Sequence, residues 1–221
     1  MNQRGLLLVM ALCAVLGASA QREDKFPVAS AQLDFVLPTA LNNTQMRNLT
    51  EVIGQLGLTA QFPLFKGLGI GAGARATFFD YDVRSFGGTP RTGGVQRWSF
   101  FGKLQYEALT SEKTFVELAV RAGQTRYGFN TDSCPTVRES GLYLNPTFAF
   151  YVMATKNLAF GIMLGYESDN VYLKPEQFCL EALPNHRVGE TEGPIQYFTL
   201  GLSVSSRFRK GEEPMDYYMD Q

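Results

Sequence analysis

A single histidine, three cysteines and one tryptophan are all that this 221-residue chain carries of those types. It also lacks any uninterrupted apolar run of the ~18 residues needed for a membrane-crossing helix. Each shortage excludes something. His186 would have to serve any Ser/His/Asp hydrolase or acyltransferase, yet no G-x-S-x-G motif accompanies it, so it reads as a solvated loop residue. No second histidine or cysteine cluster offers a metal site. Charge is nearly balanced, 20 basic against 21 acidic side chains, so nothing points to a nucleic-acid partner. No catalytic residue, cofactor site or metal site is read from the chain. A helical bundle is disfavoured by the 22 glycines and by a periodicity of two rather than 3.6.

What the chain has in quantity is alternation. From Gly141 to Tyr166, residues Leu142, Leu144, Pro146, Phe148, Phe150 and Val152 form one apolar set. Tyr143, Asn145, Thr147, Ala149 and Tyr151 interleave as a small, polar or amphipathic set. After a turn at Ala154–Asn157, Leu158, Phe160, Ile162, Leu164 and Tyr166 alternate with Ala159, Gly161, Met163, Gly165 and Glu167. Strand side chains alternate between faces, so the stretch reads as a hairpin with one apolar face. Each arm is about ten residues long, the length of a tilted transmembrane strand.

The same pattern recurs along the chain. Strands are expected at about 28–37, 51–62, 68–81, 97–109, 114–129, the two arms of the hairpin, and 195–208. Pro38–Thr50, Arg84–Gln96, Asn130–Ser140 and Asp169–Pro194 read as long loops. Short turns fall near Pro63, Thr110 and Ala154. Long and short connections therefore alternate, and both ends of an even-numbered barrel lie on the short-turn side. The run Gly67–Gly73 contains G-x-G-x-x-A, but it sits inside an alternating strand rather than at a strand–helix junction, so it is no dinucleotide loop.

The polar face carries Asp34, Arg75, Lys103, Glu107, Glu117, Arg121, Glu167 and Arg207. A soluble barrel with an apolar ligand inside would need the Leu, Phe, Trp and Tyr side chains of eight strands to fit a narrow interior. The inverse arrangement fits better: apolar residues against lipid, small and charged residues inside. The expected fold is all-β, an eight-stranded antiparallel up-and-down transmembrane β-barrel. Four acids and four bases in so narrow a lumen should pair into a plug. A proton or ion path through Glu117, Arg121, Lys103 and Glu107 is the weaker reading, and Asp80 and Asp82 at the outer mouth could join a cation site.

Residues 1–20 read as a secretory signal. Arg4 supplies the positive end, Leu6–Leu16 the apolar core and Ala18-Ser19-Ala20 the cleavage pattern, with cleavage after Ala20. Cys13 leaves with it. Cys134 and Cys179 remain, both in predicted outer loops of an oxidising compartment, and a disulfide between them is expected. Residues 21–208 form the barrel and 209–221 a polar periplasmic tail. Asn42-Asn43-Thr44 and Asn48-Leu49-Thr50 match the N-glycosylation pattern, read as accidental in such an envelope.

This architecture resembles the small outer-membrane barrels of the OmpA, OmpX and OmpW type. One local feature is sharper. Gly201 to Phe208, GLSVSSRF, is similar to the terminal strand that outer-membrane assembly machinery reads, although thirteen residues follow Phe208. The resemblance implies the cell outer membrane as location. It implies outer-membrane lipid, lipopolysaccharide and the assembly machinery as partners, with other envelope proteins also in view. The expected role is non-catalytic and exerted through the outer loops: envelope integrity, adhesion or membership of an envelope complex. The alternative is a narrow OmpW-like transporter of small apolar molecules.

Overall fold

The computed structural model describes residues 28–82, 93–111, 113–131, 134–173, 177 and 193–208. Eight strands close one barrel: β1 (Ala29–Ala40), β2 (Thr50–Phe65), β3 (Leu68–Tyr81), β4 (Gly93–Leu109), β5 (Thr114–Thr131), β6 (Cys134–Met153), β7 (Leu158–Asp169) and β8 (Ile195–Phe208). Every neighbour is antiparallel, and β1 closes on β8 from Ala29↔Phe208 to Ala40↔Tyr197. Closure leaves no sheet edge around the wall, the condition for strands to sit in hydrocarbon. Among the described residues no helix is long and apolar enough to cross a membrane.

The alternation sorts the faces as the sequence implies. Leu58, Phe62, Leu142 and Leu202 stand 60–66% exposed on the outer wall. Between them Thr59, Gln61, Tyr143 and Ser203 are buried inside. Polar residues within and apolar residues without invert a soluble protein. A continuous apolar wall of this kind far exceeds what a monomer exposes to water. Leu142 to Val152 on β6 covers about 33 Å along the strand, which a 40° tilt reduces to about 25 Å, the height of a transmembrane apolar band.

The ends of the barrel differ. At the turn end, β2 and β3 are joined by Lys66 (φ 39°) and Gly67 (φ 89°). Two positive φ values in a two-residue loop make the I′-type turn that matches strand twist, and glycine takes the second at no steric cost. A side chain at Gly67 would also meet the Glu107 carbonyl at 2.7 Å. The other turns are held by Thr110 and Ser111 N–H donating to Thr114, and by Ala154 and Thr155 N–H donating to Leu158.

At the loop end the strands run further than the sequence reading has them. β1 reaches Ala40 through Pro38, β4 starts at Gly93 and β7 reaches Asp169. Within the expected loop Pro38–Thr50 lies a short helix, α1 (Thr44–Leu49), whose N-cap Asn43 accepts from Met46 N–H. The expected loop Asn130–Ser140 is corrected more strongly. β5 continues to Thr131 and β6 already begins at Cys134, with Thr131↔Cys134 paired. Pairing with β7 starts only at Tyr143↔Asp169, so the β5–β6 hairpin stands above its neighbour. A polar hairpin above a membrane has one wet face or two, so its composition reads as loop although its backbone is strand.

The β6–β7 ladder passes from Leu144↔Ser168 to Thr147↔Gly165 without pairing Asn145 and Pro146. Pro146 has no N–H to donate. The Asn145 side chain patches the gap, its Nδ2 donating to the Tyr166 carbonyl at 3.0 Å.

Candidate functional site

The lumen is where the chain concentrates its polar chemistry. Gly73 shows how tightly its wall is drawn: a Cβ there would lie 2.4 Å from the Leu58 carbonyl and 2.9 Å from the Phe101 ring. All eight charged residues singled out in the sequence point inward. Arg97 on β4 and Asp169 at the end of β7 join them, and none of the ten is more than 5% exposed. The two additions lie in phase with the sequence pattern: Arg97 two residues before Ser99, Asp169 two after Glu167. Arg97 is the first residue of the expected strand 97–109, and carrying the alternation one step past Glu167 finds Asp169.

The charges form three groups. The largest is a chain of six that crosses the barrel: Asp169–Arg97 (2.9 Å), Arg97–Glu167 (2.5 Å), Glu167–Arg75 (2.5 Å), Arg75–Asp34 (3.2 Å) and Asp34–Arg121 (2.9 Å). Strands β1, β3, β4, β5 and β7 each contribute. Asn145 accepts from Arg75 at 3.0 Å, and Ser203 donates to Asp34 at 2.7 Å. Toward the turn end, Lys103 Nζ donates to Glu117, Gln32 and Gln61, each at 2.7 Å, which uses all three of its protons. Nearest the turn end, Arg207 pairs with Glu107 at 2.6 Å and lies 4.5 Å from the Phe115 ring centre. Glu117 and Arg121 therefore serve different groups, and the pairings that matter run across strands: Glu117 with Lys103, Arg121 with Asp34.

Aromatic rings pack around these charges. The Arg97 guanidinium lies 5.1, 5.5 and 5.9 Å from the ring centres of Tyr197, Tyr143 and Tyr127. Arg75 and Arg121 both lie over Phe101. Tyr127 donates to Asp169, and its hydroxyl meets that of Tyr197 at 3.1 Å. Toward the loop end the lumen turns apolar. Met46 and Leu49 of α1 pack with Phe79, Val95, Phe129 and Ile195, all buried. This cluster lay outside the sequence reading, because α1 sits in a polar segment where two apolar residues carry no period.

Several sequence expectations fall elsewhere. Cys134 begins β6, but Cys179 and His186 lie outside the described residues, as do the segments 1–20 and 209–221. Asp80 is exposed at the loop end of β3. Gly201 and Phe208 lie on β8, whose last residue Phe208 is 60% exposed on the outer wall and pairs with Ala29. Among the described residues no three His, Cys, Asp or Glu side chains converge to hold a metal ion.

No protein-family model matches the chain, and no curated protein matches it. Solved structures do. Neisserial surface protein A is similar at 12% identity and a TM-score of 0.53, over 81% of this chain and 97% of that one. The outer membrane protein OprG of Pseudomonas aeruginosa is similar at 12% identity and a TM-score of 0.52, over 83% and 97%. Ail, the attachment invasion locus protein of Yersinia pestis, is similar at 10% identity and a TM-score of 0.50, over 83% and 100%. At such identities the likeness speaks for the fold: the chain has the architecture of the small eight-stranded outer-membrane barrels.

Proposed function

We propose that this barrel is a non-catalytic integral protein of the outer membrane whose lumen is plugged by its own side chains and which acts through its loop end. Its role is then in envelope integrity, adhesion or the assembly of an envelope complex. The observation that carries the reading is the lumen network: five acids and five bases, buried and paired across strands, leave no continuous polar path lined by free charge. An ion entering would have to break pairs that low-dielectric surroundings make costly to separate. Planar-bilayer recording of the purified barrel should show negligible conductance. Large, stable single-channel currents would overturn the plug.

The remaining parts of the reading follow from location. Lipid and lipopolysaccharide face the apolar wall, and the assembly machinery reads the last strand through Gly201 and Phe208. Cleavage after Ala20 delivers the chain to an oxidising compartment, where Cys134 and Cys179 form a disulfide between the third and fourth outer loops. Intact mass after alkylation without reductant should show no free thiol, and two alkylated cysteines would refute the bridge.

A narrow transporter of small apolar molecules is the second reading. The interrupted ladder at Asn145 and Pro146 favours it, as a weak point in the wall. The apolar cluster around Met46 and Phe79 opposes it by filling the loop end of the lumen. Substrate-dependent uptake that disappears on deletion would decide for transport.

A further inference from the structure

Inside the barrel every base has an acid. Outside, two bases stand in another situation. Arg126 on β5 and Arg138 on β6 project from the outer wall, both exposed. Among the described residues neither has an ion-pair or hydrogen-bond partner. They flank one groove of about 600 Å³ across β4, β5 and β6, with Trp98 and Phe100 on its floor, Gln96 and Ser140 beside them, and one acid, the half-buried Glu139, next to Arg138.

Register places the groove against the membrane. Phe100↔Gln124 and Gln124↔Leu142 form one cross-strand row, Trp98↔Arg126 and Arg126↔Ser140 the next, Gln96↔Gly128 and Gly128↔Arg138 the third. The first row ends the apolar band, with Phe100 54% and Leu142 66% exposed. The second sets Arg126 beside Trp98 on the neighbouring strand, and the third sets Arg138 about one further pair of residues toward the loop end. Tryptophan at the end of an apolar band marks the depth of lipid headgroups. Two unpaired guanidiniums at that depth face the phosphates of the leaflet, and planar forked donors are the side chains best matched to phosphate oxygens.

We propose that the groove bounded by Arg126, Arg138 and Trp98 binds the phosphate of an anionic lipid headgroup in the leaflet at the loop end. The proposal rests on the membrane-barrel reading and adds a specific site to it. The acyl chains lie along Phe100 and Leu142, and the phosphate bridges the two arginines. Aromatic floor and charged rim thus select a molecule that is apolar below and anionic above. A soluble anion would gain only the upper half.

Trp98 is the single tryptophan of the chain, so its emission reports on this groove alone. The test places the purified barrel in nanodiscs of phosphatidylcholine containing graded fractions of phosphatidylglycerol. The wild type should show a saturable change in Trp98 emission as phosphatidylglycerol rises. The double variant Arg126→Gln/Arg138→Gln should need on the order of tenfold more anionic lipid for half the change, with each single variant between. Arg47→Gln, on α1 away from the groove, should titrate as the wild type does. Added salt should weaken the response of the wild type more than that of the double variant. Equal titrations for wild type and double variant, or no saturable change in the wild type, would overturn the site. The same change produced by inorganic phosphate in pure phosphatidylcholine discs would overturn the lipid assignment in favour of a free anion. Heat-modifiable gel migration of each variant confirms a folded barrel. A wild-type chain that neither inserts nor shows that shift would overturn the membrane-barrel reading itself, and is thereby distinguished from failure of the groove.

Discussion

The two faces of one strand obey opposite rules. On β4, Arg97 and Lys103 point inward, are buried and are paired, while Trp98 and Leu104 point outward, 45% and 56% exposed. On β6, Tyr143 and Asn145 lie within the network and Leu142 and Leu144 lie against the surroundings. The inner face is an interlocked set in which each group depends on several others. The outer face is a set of separate side chains that meet a fluid solvent of hydrocarbon. Energetic specificity therefore belongs to the inside. The outside asks only for apolar character over the right height.

Substitutions can break that contrast, and the strongest should be Glu167→Leu. It removes the carboxylate shared by Arg75 and Arg97 in the centre of the six-charge chain. Unfolding in urea from lipid vesicles should show a loss of about 3–5 kcal/mol, the usual consequence of stranding a buried charge. Glu167→Gln should lose less, since its amide oxygen still accepts. A loss below about 1 kcal/mol for Glu167→Leu would mean that the remaining partners, Asp34 and Asp169, suffice.

On the outer face the equivalent test adds charge. Phe148→Arg places a guanidinium near the middle of the apolar band of β6 and should cost about 2–4 kcal/mol in the same assay. A neutral result would show that this face does not meet hydrocarbon. The smallest effect should come from Leu142→Ala, a truncation on the outer wall. Lipid closes around the shortened side chain, so no cavity remains, and the loss should be about 0.5 kcal/mol. If it reached the 2–5 kcal/mol typical of truncation in a packed core, another protein surface rather than lipid would be packed there.

The architecture was legible from residues taken two at a time. Phe148 and Phe150 against Thr147 and Ala149 indicate a strand, its faces and its approximate length, because the strand period is built into backbone geometry. The eight charged lumen residues were legible for the same reason. What failed was the position of strand ends. Asp169 was missed because it reads as the first residue of the loop Asp169–Pro194, whereas pairing with β6 and β8 carries the strand through it. Arg97, the first residue of the expected strand 97–109, was not counted on the inward face although it lies in phase with Ser99. The hairpin from Gly123 to Leu142 was missed in its upper part because Arg138, Glu139 and Ser140 lack an apolar alternation once they rise above the band. α1 was missed because six residues cannot display a helical period.

By itself the sequence determined an alternating chain of eight strands, the apolar height of its wall, the inside-out sorting of its faces, and a balance of charge on the inner one. Those are properties of each strand alone, set by side-chain chemistry and a fixed period. Only the closed barrel decided which acid meets which base. Asp34 reaches Arg75 and Arg121, Glu167 reaches Arg75 and Arg97, and Glu107 reaches Arg207 a hundred residues away, because shear and closure set cross-barrel neighbours that no local spacing encodes. The same closure left Arg126 and Arg138 outside that arrangement, exposed on the outer wall near Trp98 and without an ion-pair partner among the described residues.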